Sequence, residues 1–272
     1  MKLPAGARRI RDAFEAAAGR PLLVAYVIAG HPDPATALAA ADAALDAGAD
    51  LLEVGVPFSD PVADGPVIAS AARAAVAHGA GLDTAIEMVR ALRQRGRRQP
   101  MLAMGYLNPL VARGATTTVR ALAEAGVDGL IVPDLPAGED PQLERAVGDA
   151  GLGIAFLVAP NTAPERLELA IGASTAFLYV VPLFGVTGAR DRVGDAAIPL
   201  LARVRETAAG RVPVAVGFGV ARPEHVRALA SATDAIVVGS AIVSALDERG
   251  PRGVADLVAS LAAAARGEPV PA

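Results

Sequence analysis

The sequence predicts an α/β protein built as a closed (βα)8 barrel, with eight parallel strands, the helices that follow them and one extra helix at the N-terminus. Three observations predict it. Apolar runs of strand length recur eight times, separated by Ala-rich segments of helical length. Those runs are continuously apolar, as in "FLYVV" and "AIVV", which is what parallel strands covered on both faces show. Polar and Gly-rich residues collect after the strand ends, and no Gly-x-Gly-x-x-Gly follows the first strand, so a barrel is favoured over a doubly wound open sheet.

The elements follow in order. Strands are expected near Leu22 to Ile28, Leu51 to Val54, Met101 to Gly105, Gly129 to Val132, Ile154 to Val158, Phe177 to Val181, Val214 to Val216 and Ala235 to Val238. The intervening "PATALAAADAALDAG" and "TAIEMVRALRQRG" carry apolar residues at helical spacing and end at Gly or a basic residue, the usual stop signals of a helix. A weak repeat supports the same unit: "AGADLLEVG" at 47, "AGVDGLIVP" at 125 and "SATDAIVVG" at 231 each join a helix end, a turn with Asp and a buried strand. The basic cluster "RQRGRR" at 93 to 98 reads as a solvated helix end. Residues 1–272 read as one domain, in keeping with the usual length of such a barrel, and 266–272 as a frayed tail.

Composition narrows the function classes. The formal net charge is -4, so no basic surface for nucleic acid is expected. No apolar run reaches the length of a membrane span, and the N-terminus lacks the apolar core of a signal peptide; a cytoplasmic protein with a small-molecule or protein partner is expected. Zero Cys rules out disulfides and thiolate chemistry, and three scattered His argue against a His-rich metal site.

The chemistry is expected at the C-terminal ends of the strands, the functional face of a parallel barrel. Glu53 interrupts the apolar second strand near that end. Desolvated in the barrel mouth it would titrate near neutrality and exchange protons; paired with an Arg or Lys it would be structural. Asp60 and Asp64 follow on a loop stiffened by Pro57, Pro61 and Pro66, and Asp64 could equally cap the next helix. "FGVTGAR" at 184, "GFGV" at 217 and "GSAIV" at 239 follow strands six, seven and eight. Gly-rich turns at helix starts suit a phosphate, though ordinary helix-entry turns would look the same. Residues alone lead to a phosphorylated metabolite and no further.

The stretch "LLEVGVPFSDPVADGP" (51–66) resembles the signature of the tryptophan synthase alpha chain family. "AYVIAGHPDP", "LNP" at 107, "LIVPDLP", "GVTGAR", "GFGV" and "VVGSAIV" fall in the family's order along nearly the whole chain. The resemblance implies a TIM barrel that cleaves indole-3-glycerol phosphate to indole and glyceraldehyde 3-phosphate by a retro-aldol reaction. It implies Glu53 as general acid/base, Asp64 as acceptor of the indole N–H, and Tyr179 beside the reacting hydroxyl, where a packed aromatic remains an alternative. It further implies a phosphate held by Gly188, Gly217, Gly219, Gly239 and Ser240, and an indole slot lined by Tyr26, Leu102, Tyr106 and Leu130. Thr187 would belong to a closing lid, with Asp60 and Pro61 on the loop facing a beta chain. No metal or cofactor is implied for this chain; pyridoxal phosphate would belong to the beta chain. Pro182, Leu183 and Phe184 replace the family's usual residues before the GVTG segment, and His31 and Ile28 depart near the first strand. The lid change opens a second reading, a stand-alone lyase releasing free indole, and a non-catalytic phosphate-binding regulatory subunit stands as a third.

Overall fold

The computed structural model describes residues 3–182, 193–217 and 219–270, with backbone only for 193–196. The chain runs α1 (Ala5–Ala16), β1 (Leu22–Ile28), α2 (Pro34–Asp46), β2 (Leu51–Gly55), α3 (Pro66–Ala77), α4 (Leu82–Gln94), β3 (Met101–Met104), α5 (Leu107–Val111), α6 (Ala115–Ala125) and β4 (Gly129–Ile131). It continues through α7 (Pro141–Asp149), β5 (Gly153–Val158), α8 (Pro164–Ala173), β6 (Leu178–Val180), α9 (Val193–Ala208), β7 (Val214–Gly217), α10 (Pro223–Leu229), β8 (Ala235–Val238) and α11 (Ser240–Ala265). Strands β1 to β8 close into a barrel in sequence order, and the pairings are parallel. Every expected strand is present, its ends shifted by no more than one residue. Among the described residues no helix is long and apolar enough to cross a membrane.

Alternate residues on each strand serve two separate cores. Leu22, Val24, Leu51, Leu102, Ile131, Ala155, Tyr179, Ala215, Ala235 and Val237 cluster inside the barrel. Leu23, Val27, Leu52, Met101, Leu130, Phe156, Val180 and Val216 pack outward into the helical sheath. Both faces are apolar, so continuous apolar runs are the expected strand signature. Helix α1 supplies the floor: Ile10 joins the inner cluster, and Phe14 meets Phe177 edge to face at 6.2 Å.

The repeated Asp motif is a clasp at the lower rim. Asp50 Oδ2 accepts from Leu23 N–H at 2.9 Å, Asp128 Oδ2 from Met101 N–H at 2.8 Å, and Asp234 Oδ2 from Val214 N–H at 2.8 Å. Thr175 Oγ1 accepts from Ile154 N–H at 3.0 Å and takes the fourth place. In each case the backbone N–H of the clasping residue donates back to the carbonyl of the same partner, at 2.7 to 3.0 Å. The start of each odd-numbered strand is thereby tied to the turn before the next even-numbered one.

The basic cluster at 93–98 corrects the expectation of a merely solvated helix end. Arg93 reaches Asp128 at 2.6 Å and also donates to the carbonyls of Gly126, Arg97 and Gln99. Arg97 pairs with Asp42 and Asp46, and Arg95 with Asp42. These arginines lock α4 to α2 and to the turn before β4, with partners 33 to 55 residues away for the contacts between elements.

Candidate active site

Glu53 stands at the centre of the barrel. Strand pairing sets it between Tyr26 on β1 and Leu102 on β3, and its side chain takes the inward face that Leu51 occupies one step below. It is fully buried, and neither carboxyl oxygen has a hydrogen-bond partner among the described residues. Desolvation, with a contribution from the charge of Asp64, pushes its pKa up to about 8. An unpaired buried carboxylate is costly, so at neutral pH the group holds its proton and stands ready to give it to a bound molecule. The alternative of an Arg or Lys partner is not realised.

Asp64 lies on the loop between β2 and α3, close enough for its charge to act on Glu53, Tyr26 and Tyr179. It does not cap the following helix: the capping position of α3 is Gly65. Instead Tyr106 Oη donates to Asp64 Oδ2 at 3.0 Å and accepts from Ala63 N–H at 2.9 Å. One hydroxyl thus fixes both the loop backbone and the carboxylate. Burial raises the Asp64 pKa, and the Tyr106 bond works against that rise. Phe58 lies against the Tyr106 ring at 5.3 Å. Asp60 and Val62 are exposed on the same loop, Val62 at 84%, while Pro61 is buried.

Tyr26 and Tyr179 complete the mouth. Each hydroxyl lies over a glycine of a neighbouring strand: a Cβ on Gly55 would stand 2.3 Å from Tyr26 Oη, and one on Gly217 would stand 2.2 Å from Tyr179 Oη. Any side chain there would expel the ring. Burial raises both phenol pKa values, and the charges of Glu53 and Asp64 add to the effect. Tyr179 also meets Phe177 edge to face at 6.1 Å.

The remaining expected residues divide. Gly217 ends β7 and Gly219 follows in the adjoining loop with φ +70°; Gly239 and Ser240 end β8 and open α11. Because β7 and β8 are paired, the two turns share one edge of the mouth. Gly188 and Thr187 lie outside the described residues, as do Leu183 and Phe184. Leu102 faces inward but deep: a Cβ on Gly129 would touch both Leu102 Cδ2 and Ile10 Cδ1, which belongs to the floor. Leu130 is a correction. It packs outward against the helices, because Gly129 and Ile131 hold the inward positions of β4. Ile131 and Met104, which packs against the inner cluster and against a separate group around Tyr26 and Ile28, are the apolar residues that sequence reasoning missed; counting two residues on from Leu102 would have found Met104. His31, just past β1, pairs with Asp247 of α11 at 2.7 Å.

Proteins of known family resemble this chain in sequence and fold. The family model for the tryptophan synthase alpha chain matches residues 13–267. A tryptophan synthase alpha chain of Gluconacetobacter diazotrophicus is 45% identical over 242 residues, covering 88% of each chain. One from Roseiflexus castenholzii is 41% identical over 245 residues, covering 89% of this chain and 93% of the relative. A solved structure of Mycobacterium tuberculosis tryptophan synthase superposes with a TM-score of 0.87 at 38% identity, over 95% of this chain and 98% of that one. The alpha chain of Legionella pneumophila superposes with a TM-score of 0.86 at 30% identity, over 95% and 97%. With an inward Glu on β2 at the centre of an eight-stranded barrel and matches of this extent, the chain belongs to the tryptophan synthase alpha chain family, the carbon–carbon lyases that cleave indole-3-glycerol phosphate.

Proposed function

We propose that Glu53 drives the retro-aldol cleavage as a single proton shuttle. Its carboxylic acid gives a proton to C3 of the indole ring, leaving a carboxylate and a ring whose nitrogen is cationic. The carboxylate then takes the proton of the hydroxyl next to the scissile bond. As that bond breaks, its electrons return to the ring, indole leaves, and the hydroxyl carbon becomes the aldehyde of glyceraldehyde 3-phosphate. Glu53 ends protonated, as it began. The observation that carries this reading is a fully buried carboxyl without a partner, in a position where its pKa of about 8 matches a group that must both give and take a proton near neutrality.

Asp64 accepts from the indole N–H and steadies the cationic ring, and Tyr106 orients it. Tyr179 stands beside the reacting hydroxyl. Tyr26, Leu102, Ile131 and Met104 line the apolar slot, with Leu102 at its base. Backbone N–H groups at Gly217, Gly219, Gly239 and Ser240 hold the phosphate, aided by the N-terminal dipole of α11; Gly188 is proposed to join them, and Thr187 to belong to a lid over the site. The whole chain works as one domain in the cytoplasm without a cofactor of its own. Its partner is a pyridoxal phosphate-dependent beta chain that docks at the loop of Asp60 and Pro61.

Steady-state cleavage of indole-3-glycerol phosphate, by the chain alone and with a tryptophan synthase beta chain added, tests the reading. The biosynthetic subunit shows strong activation by the partner. The substitutions at Pro182, Leu183 and Phe184 favour the second reading, and rapid indole release by the chain alone would establish that stand-alone lyase. Silence under both conditions would overturn both and leave a phosphate-binding regulatory subunit.

A further inference from the structure

The closed end of the barrel, opposite the mouth, holds a cavity of about 330 Å³. It opens between α1 and the end of α9, below the start of β7. Its lining combines three arginines, Arg11, Arg20 and Arg205, with Asp234 and the apolar Phe14 and Val212. The arginines are not equivalent. Arg20 is held by two bonds to Asp50, at 2.8 and 2.7 Å. Arg205 stands 3.4 Å from Asp234, whose other oxygen is engaged by the Val214 N–H. Among the described residues Arg11 has no ion pair, and its Nε is buried without a hydrogen-bond partner.

A buried donor left unmet is rare in a folded protein, and the other guanidinium nitrogens of Arg11 likewise have no acceptor among the described residues. Asp50 holds Arg20, which also feels the charge of Glu268, and Asp234 faces Arg205, so Arg11 is the arginine of the lining that meets no carboxylate among the described residues. The volume falls at the small end of ligand sites, and the lining is more polar than that of a typical ligand pocket. We infer that this cavity is a second ligand site, which takes a small organic monoanion: a carboxylate set between Arg11 and Arg205, with an apolar body against Phe14 and Val212. A planar guanidinium offers the paired N–H groups that a carboxylate accepts. Nothing in the lyase reaction uses this site, which lies at the far end of the barrel from Glu53.

Benzoate is a suitable probe, with neutral benzamide as its control. Titrated at millimolar concentration into the full chain and followed by amide resonances, benzoate is expected to give saturable shifts at Phe14, Arg205 and Val212, and benzamide none. Arg11→Met keeps the aliphatic stem and removes the charge; it weakens benzoate about tenfold or more, the range of one charge-assisted hydrogen bond. Arg205→Gln weakens it as well and carries the test if the first variant does not fold. The inference is overturned by absent shifts, by equal binding of benzamide, by shifts confined to the mouth around Glu53, or by unchanged affinity in the charge-removing variants.

Discussion

Asp128 at the lower rim and Glu53 at the mouth are both carboxylates with almost no exposure, 1% and 0%, and they live in opposite circumstances. Asp128 meets Arg93 at 2.6 Å, Arg9 at 3.1 Å and the Met101 N–H at 2.8 Å. Burial still pulls its pKa upward, but two arginines and a backbone donor pull against it. Glu53 has nothing to pull against burial, and Asp64 adds to it. The same group at the same depth is a rivet in one place and, on the proposed function, a reagent in the other. What separates them is whether the fold supplies their partners or leaves that to a substrate.

The contrast sets the order of the tests. Glu53→Gln has the largest effect: turnover falls by about 10²- to 10⁴-fold, the usual worth of general acid–base catalysis, while urea unfolding shows a fold at least as stable at pH 8. Retained turnover would make Glu53 a rivet too. Asp128→Asn does the reverse. Arg93 is left buried without its counter-charge, and the urea midpoint reports a loss of about 3–5 kcal/mol, with kcat for the surviving folded fraction little changed. Tyr106→Phe probes a mixed case, since its hydroxyl ties Ala63 and Asp64 of one loop together; kcat is expected to fall about tenfold, with a stability loss of about 1 kcal/mol.

The pH dependence sharpens the same comparison by small steps. Glu53 has a folded pKa of about 8, above its unfolded value of 4.5. Between those values the folded state holds a proton that the unfolded state has lost. Wild-type stability therefore falls relative to Glu53→Gln as pH rises, by about 1.4 kcal/mol per pH unit, and levels off above pH 8. Denaturation curves at pH 5, 6, 7 and 8 measure it. Parallel curves for the two proteins would show that Glu53 is not held protonated. The kcat/KM for cleavage falls through the same upper value, since the free enzyme must begin protonated.

The strands were legible because eight apolar runs have no other use in a chain of this kind, and their ends lie where Gly, Pro and Asp stand. Which way each side chain points was not. A strand buried on both faces carries no alternation to read, so Leu130 and Ile131 look alike, and only the closed barrel decides that Ile131 faces in. Glu53 was legible for the opposite reason: a charge in such a run stands out. The partners of Asp64 and Arg93 were hidden by distance along the chain, 42 residues to Tyr106 and 35 to Asp128. The Asp repeat was visible as a pattern, but Thr175 disguised its fourth member.

That fourth member has a bearing on how the chain assembles. The clasps tie β1 to β2, β3 to β4, β5 to β6 and β7 to β8, spanning 27, 27, 21 and 20 residues. At the next seam, β2 to β3, a backbone bond runs from Leu52 N–H to the Pro100 carbonyl, and no reciprocal clasp of this kind is found among the described residues. Each clasp closes a short loop, at small entropic cost, and can form before the barrel exists. The molecule is in this sense four parallel strand–helix–strand quarters sewn into a ring, and in hydrogen exchange the amides of Leu23, Met101, Ile154 and Val214 mark the stitches within each quarter that outlast the seams between them.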